Sequence, residues 1–405
     1  MAESEKRYPG HERADLSDGF GERLLGVLLD RSRDLPAHLI GNLVADEVRK
    51  IGGRDVSIFL QDYDQLFLMP LTGRGLTAGE PQLIADSDVG LAFQLRTPAE
   101  VPQPDGIRIY LPMPDGSDDV SVLALTLDTI SDDDRRLLRR LADLVAGILA
   151  TKRHASDLFF RTRRRQPMTL AAEIQWSLLP PLTMAVPQVE VAGILEPAYA
   201  IAGDSFDYSL NEDILHVAVI DAMGHGLDAA TMATVAIGAY RHARRAYIGL
   251  SEIYTFMDQA IAEQFGPDHF VTAQMMLLNI ATGRLQWVNA GHPAPLLIRD
   301  HQVIQRLNSP TTLPVGFGGH EPEVSEQRLR RGDRVLCFTD GLVEERNAGG
   351  EQFGEEQLID RINRHQPAAG GARAAVRSLS HALRKARGRT TDDATLVLIE
   401  WRGGT

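Results

Sequence analysis

Apolar positions in the first 150 residues change period several times. A short apolar run at 24–29 comes first. After Pro36, a residue suited to the first turn of a helix, Leu39, Ile40, Leu43, Val44 and Val48 recur at helical spacing. Val56, Ile58 and Leu60 then alternate with their neighbours, and a second extended run covers 65–70 after a turn at 62–64. Ile107, Ile109 and Leu111 alternate again, as do Val120, Val122 and Ala124, with Asp115 and Gly116 between them as a hairpin signal. Ser131 followed by Asp132, Asp133 and Asp134 has the form of a helix N-cap. Leu137, Leu138, Leu141, Leu144, Val145, Ile148 and Leu149 continue it as one broad stripe. The pattern predicts a polar, flexible tail at 1–19 and an α+β unit over 20–150.

Helical spacing resumes at Leu170, Ile174 and Leu178 and stops at Pro180 and Pro181, so 151–186 reads as a helical linker. The basic run 161–165 inside it reads as a solvated face. The stripe ahead of it would also serve to pair two copies as a homodimer. From residue 187 the character changes. Strands are expected at 189–194, 214–220, 273–280, 285–289, 296–298, 335–338 and 396–399. Helices are expected at 228–247, 253–265, 354–365 and 372–387. Many strands with few, clustered helices predict an α+β layered sandwich over 187–402.

Composition narrows the function. Hydrophobic residues make up 43% of the chain, which excludes a chain disordered throughout. The net charge of −13 argues against a nucleic-acid partner. A single cysteine, Cys337, excludes an intrachain disulfide and a thiolate metal cage. Residues 1–7 do not resemble a signal peptide, and the most apolar stretch, 141–150, contains Asp143 and is half the length of a membrane span. These features lead to the expectation of a cytoplasmic protein that does not enter a membrane.

Four acidic clusters lie at strand ends or turns: Gly203-Asp204-Ser205-Phe206-Asp207, Asp221-Ala222-Met223-Gly224-His225-Gly226, Thr339-Asp340-Gly341, and Asp392-Asp393-Ala394-Thr395. Each alone is an ordinary turn, because Asp before Gly is a common turn pair. Their co-occurrence in one domain points to something more. Two like charges 4 Å apart repel by about 4 kcal/mol at an effective dielectric of 20. Hard divalent cations relieve that repulsion, and a pair of them can activate water for phosphoryl displacement. His225 between two glycines is a tight-turn residue or, less commonly, a ligand.

These clusters, together with Asn289-Ala290-Gly291-His292-Pro293-Ala294-Pro295-Leu296 and Gly332-Asp333, resemble the metal-dependent serine/threonine phosphatases (the PPM family) in their SpoIIE-type branch. The segment Ala172-Glu173-Ile174-Gln175-Trp176-Ser177-Leu178-Leu179-Pro180 is similar to that branch's helical lead-in. The resemblance implies an α/β/β/α sandwich and two Mn²⁺ or Mg²⁺ ions. It implies that Asp221 bridges the metals, that the Ala222 carbonyl is a backbone ligand, and that Asp340 and Asp392 complete the second site. Asp204, with Asp207 nearby, would hold metal-bound water, and Asp393 is the alternative to Asp392. It implies hydrolysis of phosphoserine or phosphothreonine on a protein partner, usually an anti-sigma-factor antagonist. Where the family has two glycines before the first acid, this chain has Ala202 and Gly203. No arginine is placed to grip phosphate as in the eukaryotic relatives, so the metals would carry that task.

Residues 20–150 resemble a GAF sensor domain, which implies regulation by a small-molecule or protein signal. The lack of any cysteine before Cys337 excludes a thioether-linked bilin. The rival from another class is a catalytically silent scaffold that binds the phosphorylated partner. A kinase is excluded, since the chain has no Gly-x-x-x-x-Gly-Lys-Ser/Thr loop.

Overall fold

In a computed structural model that describes residues 18–114, 121–201, 203–310, 312–319, 321–344, 353–364, 371–387 and 393–404, the chain forms two compact units. The first ends at Arg165 and the second starts at Gln166. Most of the expected tail, the hairpin signal at Asp115 and Gly116, Ala202 and Asp392 lie outside the described residues.

The first unit runs α1 (Asp18–Ser32), α2 (Ala37–Lys50), β1 (Arg54–Gln61), β2 (Phe67–Pro70), β3 (Gln82–Leu83), α3 (Asp88–Leu95), β4 (Ala99–Gln103), β5 (Gly106–Met113), β6 (Ser121–Leu127), α4 (Asp132–Lys152) and α5 (Leu158–Thr162). Its six-stranded sheet has the order β3-β2-β1-β6-β5-β4. Alternation assigns the faces. Ile58, Ile109, Leu123 and Leu125 pack under α1, α2 and α4, while Phe59, Leu68, Val122 and Ala124 pack against Phe93 of α3. Ser131 caps α4 in a capping box: its Oγ accepts from the Asp134 N–H at 3.2 Å, and Asp134 Oδ2 accepts from the Ser131 N–H at 2.7 Å.

Three expectations change here. The stripe on α4 is consumed by its own unit's core, so it offers no free seam for a second copy. The linker divides: Phe159 of α5 joins the first core, whereas α6 (Leu170–Leu178) and β7 (Thr183–Val186) belong to the second unit. Part of the basic run is docked rather than solvated, although Arg161 stays exposed. Arg163 Nε donates to the Gln61 carbonyl at 2.8 Å and its guanidinium lies 4.5 Å from the Tyr63 ring centre. Arg165 lies 3.7 Å from the Phe67 ring and 3.8 Å from Asp62. Planar guanidinium groups stack on aromatic faces that are distant in sequence, which charge patterning does not reveal.

The second unit continues with β8 (Val189–Glu196), β9 (Asp204–Asn211), β10 (Ile214–Ala222), α7 (Gly226–Arg245), α8 (Leu250–Phe265), β11 (Val271–Asn279), β12 (Arg284–Ala290), β13 (Leu296–Arg299), β14 (Gln302–Arg306), β15 (Ser325–Arg328), β16 (Arg334–Phe338), α9 (Gly354–Arg364), α10 (Ala372–Arg387) and β17 (Ala394–Trp401). Two antiparallel sheets result, ordered β15-β12-β11-β10-β9 and β14-β13-β16-β17-β8-β7. Period two again sorts the side chains. Val217, Val219, Met276, Trp287, Val335, Cys337, Val397 and Ile399 meet between the sheets. Ala218, Ile220 and Ala273 face α7 and α8, and Ile194, Leu336 and Leu398 face the layer of α9 and α10. The unit is thus an α/β/β/α sandwich.

Between the sheets, Gly193 and Phe206 interlock. A Cβ on Gly193 would fall 2.4 Å from the Phe206 ring, which is itself fully buried. Gly193→Ala is expected to lower stability by about 1–3 kcal/mol through overpacking. Urea denaturation should register the loss, with part of it recovered when Phe206→Leu is added.

Candidate metal centre

The pairing of β9, β10 and β11 sets one end of the inter-sheet face. Asp221 stands directly opposite Asp204 on one side and opposite Thr272 on the other. Residues directly opposite in an antiparallel pair share a face, so all three side chains form a row. Asp204 and Asp221 continue the alternation of Phe206 and Val219, which places the row at the end of the core between the sheets.

The other sheet supplies a threonine. Thr339 follows β16 by one residue, and its Oγ1 donates to Asp204 Oδ2 at 2.6 Å while accepting from the Thr395 N–H at 2.8 Å. The hydroxyl thus donates once and accepts once. The Thr339 N–H in turn donates to the Thr395 carbonyl at 3.2 Å. Asp340 comes next, opening a short 3₁₀ turn, Asp340–Leu342, whose carbonyl accepts from the Val343 and Glu344 N–H groups, both at 2.8 Å.

Gly203 explains itself sterically. A Cβ there would sit 2.6 Å from the Ala222 carbonyl oxygen and 3.3 Å from Asp221 Oδ1. The Gly203 carbonyl accepts from the Ala222 N–H at 3.2 Å, and the Gly203 N–H donates to Asp393 Oδ2 at 2.9 Å. Only a glycine lets the Ala222 carbonyl, Asp221 and Asp393 approach the same backbone.

Electrostatics report the crowding. Burial pushes the carboxyl of Asp204 well above the usual carboxylate range, and the charges of Asp221 and Asp393 push it further, against the opposing hydrogen bond from Thr339. Asp204, Asp221 and Asp393 therefore share one site, with Ala222 and Asp340 adjoining through the backbone. Among the described residues, no three His, Cys, Asp or Glu side chains stand drawn together as a finished metal cage. The donor set is all oxygen, which suits Mg²⁺ or Mn²⁺ and not zinc.

One expectation fails. Asp207 lies on the opposite face of β9, where it holds Arg241 at 2.7 Å and Arg244 at 2.5 Å. An odd offset of three along a strand reverses the side chain's face, so Asp207 fastens α7 and has no part beside Asp204. His225 is the exposed N-cap residue of α7, between Gly224 (φ +95°) and Gly226 (φ +71°), as a turn residue would be. Sequence reasoning missed the role of Thr339. Its position two residues after the inward-facing Cys337 was the available signal.

Residues 211–402 match the family model described as Stage II sporulation protein E (SpoIIE), a segment that holds Asp221, Asp340 and Asp393 and starts after Asp204. The phosphoserine phosphatase RsbP of Bacillus subtilis is 27% identical over 252 residues, which cover 60% of this chain and 59% of RsbP. The phosphoserine phosphatase RsbU of the same organism is 20% identical over 284 residues, covering 69% of this chain and 83% of its own. Among solved structures, the SiaA-PP2C domain of Pseudomonas aeruginosa aligns with a TM-score of 0.49 at 21% identity, covering 57% of this chain and 94% of that one.

The raised Asp204 carboxyl gives a pH dependence in metal-free protein. A raised folded-state pKa favours the protonated acid, so this contribution to stability is complete below the ordinary carboxylate range and is lost as pH rises through the folded value. Thermal unfolding in chelator is expected to show the melting temperature falling across that window. Asp204→Asn should flatten the fall, and added Mn²⁺ should oppose it near neutral pH.

Proposed function

We propose that this chain, whose residues 211–402 belong to the SpoIIE family, is a metal-dependent protein serine/threonine phosphatase. The observation that carries the reading is the buried Asp204, placed with Asp221 and Asp393 at one sheet end where their charges oppose one another. Asp221, the Ala222 carbonyl, Asp340 and Asp393 or Asp392 would hold two Mn²⁺ or Mg²⁺ ions, with Asp204 beside them. When bound, such ions neutralise phosphate charge and acidify a water.

The chain's own residues do the rest. Thr339 aims Asp204 by donating to Oδ2 and favours its ionised form, against the burial and like charges that raise its pKa. Gly203 leaves the Ala222 carbonyl uncovered. The first turn of α7 begins directly after the 221–225 turn, and its free N–H groups favour an anion. In the reaction, water oxygen bonds to phosphorus, the P–O bond to the side chain breaks, and the freed serine or threonine oxygen takes a proton.

The names of RsbP and RsbU support a phosphoserine protein as substrate, and an anti-sigma-factor antagonist remains the proposed partner. The first unit is proposed to regulate the second as a GAF-like sensor. A homodimer would need a surface other than the α4 stripe. No helix among the described residues is long and apolar enough to cross a membrane.

Hydrolysis of para-nitrophenyl phosphate tests the reading. Turnover is expected with Mn²⁺ and not with chelator, and Asp221→Asn or Asp340→Asn should reduce it to background. Metal-independent turnover, or turnover surviving both substitutions, would exclude the mechanism, and Mn²⁺ binding without turnover would favour the silent scaffold. Removing residues 1–165 is expected to change the rate, measured on the same substrate.

A further inference from the structure

The Asn289-Ala290-Gly291-His292 segment has no task in the mechanism above, yet its geometry is tightly specified. His292 is buried, and its Nδ1 lies 2.8 Å from Thr272 Oγ1. Thr272 is the residue paired with Asp221 across β10 and β11. The Phe338 carbonyl acts electrostatically on the same ring, and Nε2 is buried with no hydrogen-bond partner. Phe338 leads directly into Thr339 and Asp340. One imidazole therefore reaches from the strand beside Asp221 to the strand end that presents Asp340.

The backbone around His292 is held for that purpose. The Asn289 side chain closes on it from both sides, Oδ1 accepting from the His292 N–H at 2.8 Å and Nδ2 donating to its carbonyl at 2.7 Å. Gly291 has φ +71°, and a Cβ there would lie 2.8 Å from Pro314. Burial drives the ring's pKa down to about 3, so the imidazole is neutral and has one donor and one acceptor nitrogen. A proton on Nε2 leaves Nδ1 to accept from the Thr272 hydroxyl. The Thr272 oxygen then turns its lone pairs outward from the ring.

We propose that His292 is a positioning residue for the acidic centre, its ring hydrogen-bonded to Thr272 beside Asp221 and lying near the Phe338 carbonyl ahead of Asp340, so that Asp221 and Asp340, on different sheets, are held at the spacing a cation pair needs. The proposal rests on the phosphatase reading, and its test separates the two. The full chain is compared with His292→Leu, His292→Gln, Thr272→Val and Gly193→Ala. Mn²⁺ affinity is read by electron paramagnetic resonance titration, melting temperature in chelator, and kcat and KM with para-nitrophenyl phosphate.

His292→Leu is expected to weaken Mn²⁺ binding by about 10- to 100-fold, the range for outer partners of metal ligands. Thr272→Val, which keeps the shape of the side chain, should weaken it by about 10-fold, and His292→Gln should restore part of the loss. Gly193→Ala supplies the structural control, lowering the melting temperature with affinity unchanged. Should His292→Leu fail to fold, Thr272→Val decides alone. Unchanged affinity in Thr272→Val, or affinity losses that follow melting temperature equally in the Gly193 variant, would overturn the positioning role. Failure of the wild-type chain to turn over substrate with Mn²⁺ would overturn the phosphatase reading instead, while the affinity series still judges His292.

Discussion

The second unit is organised around an electrostatic conflict that its own hydrogen bonds only partly resolve. Asp204 is buried at the end of an apolar inter-sheet core, facing Asp221 on the neighbouring strand and Asp393 from the other sheet. The Thr339 hydroxyl offsets part of this, and it is oriented by a backbone N–H across the β16–β17 pairing. Stability alone would favour an apolar side chain at such a place, because uncompensated buried charge costs more than it returns. The arrangement makes sense when a cation is the missing partner.

Much of this was legible in the chain. The acids sit beside glycines at strand ends, and both Gly203 and Gly224 prove to be sterically or conformationally required. The seven strands foreseen in the second unit are present, because each is mostly apolar, as in Val335–Phe338 and Leu396–Ile399. The strands overlooked there are of another kind. β9 begins with Asp204 and ends with Asn211, and β14 and β15 are polar edge strands with little to bury. Their identity comes from pairing with neighbours, which a local pattern does not contain.

The misreadings share a cause. Asp207 was grouped with Asp204 by proximity in sequence, although strand alternation turns the two to opposite faces, and Arg241 and Arg244 lie more than thirty residues downstream. The arginines of 161–165 looked solvated because Asp62, Tyr63 and Phe67 are about a hundred residues upstream. The α4 stripe looked like a seam between copies because nothing in a single helix tells which surface will cover it. Long-range partners decided each case, whereas caps such as Ser131 were readable since their partners are three residues away.

The tooth-and-notch contact of Phe206 with Gly193 has a mechanical consequence. An aromatic ring seated in a gap of the facing sheet resists sliding of one sheet across the other, so the sandwich behaves as a rigid block in shear. Any influence that tunes the carboxylates from elsewhere in the protein must therefore bend the turns at the block's edge, where Asp340 and the 221–226 segment lie, instead of displacing its layers.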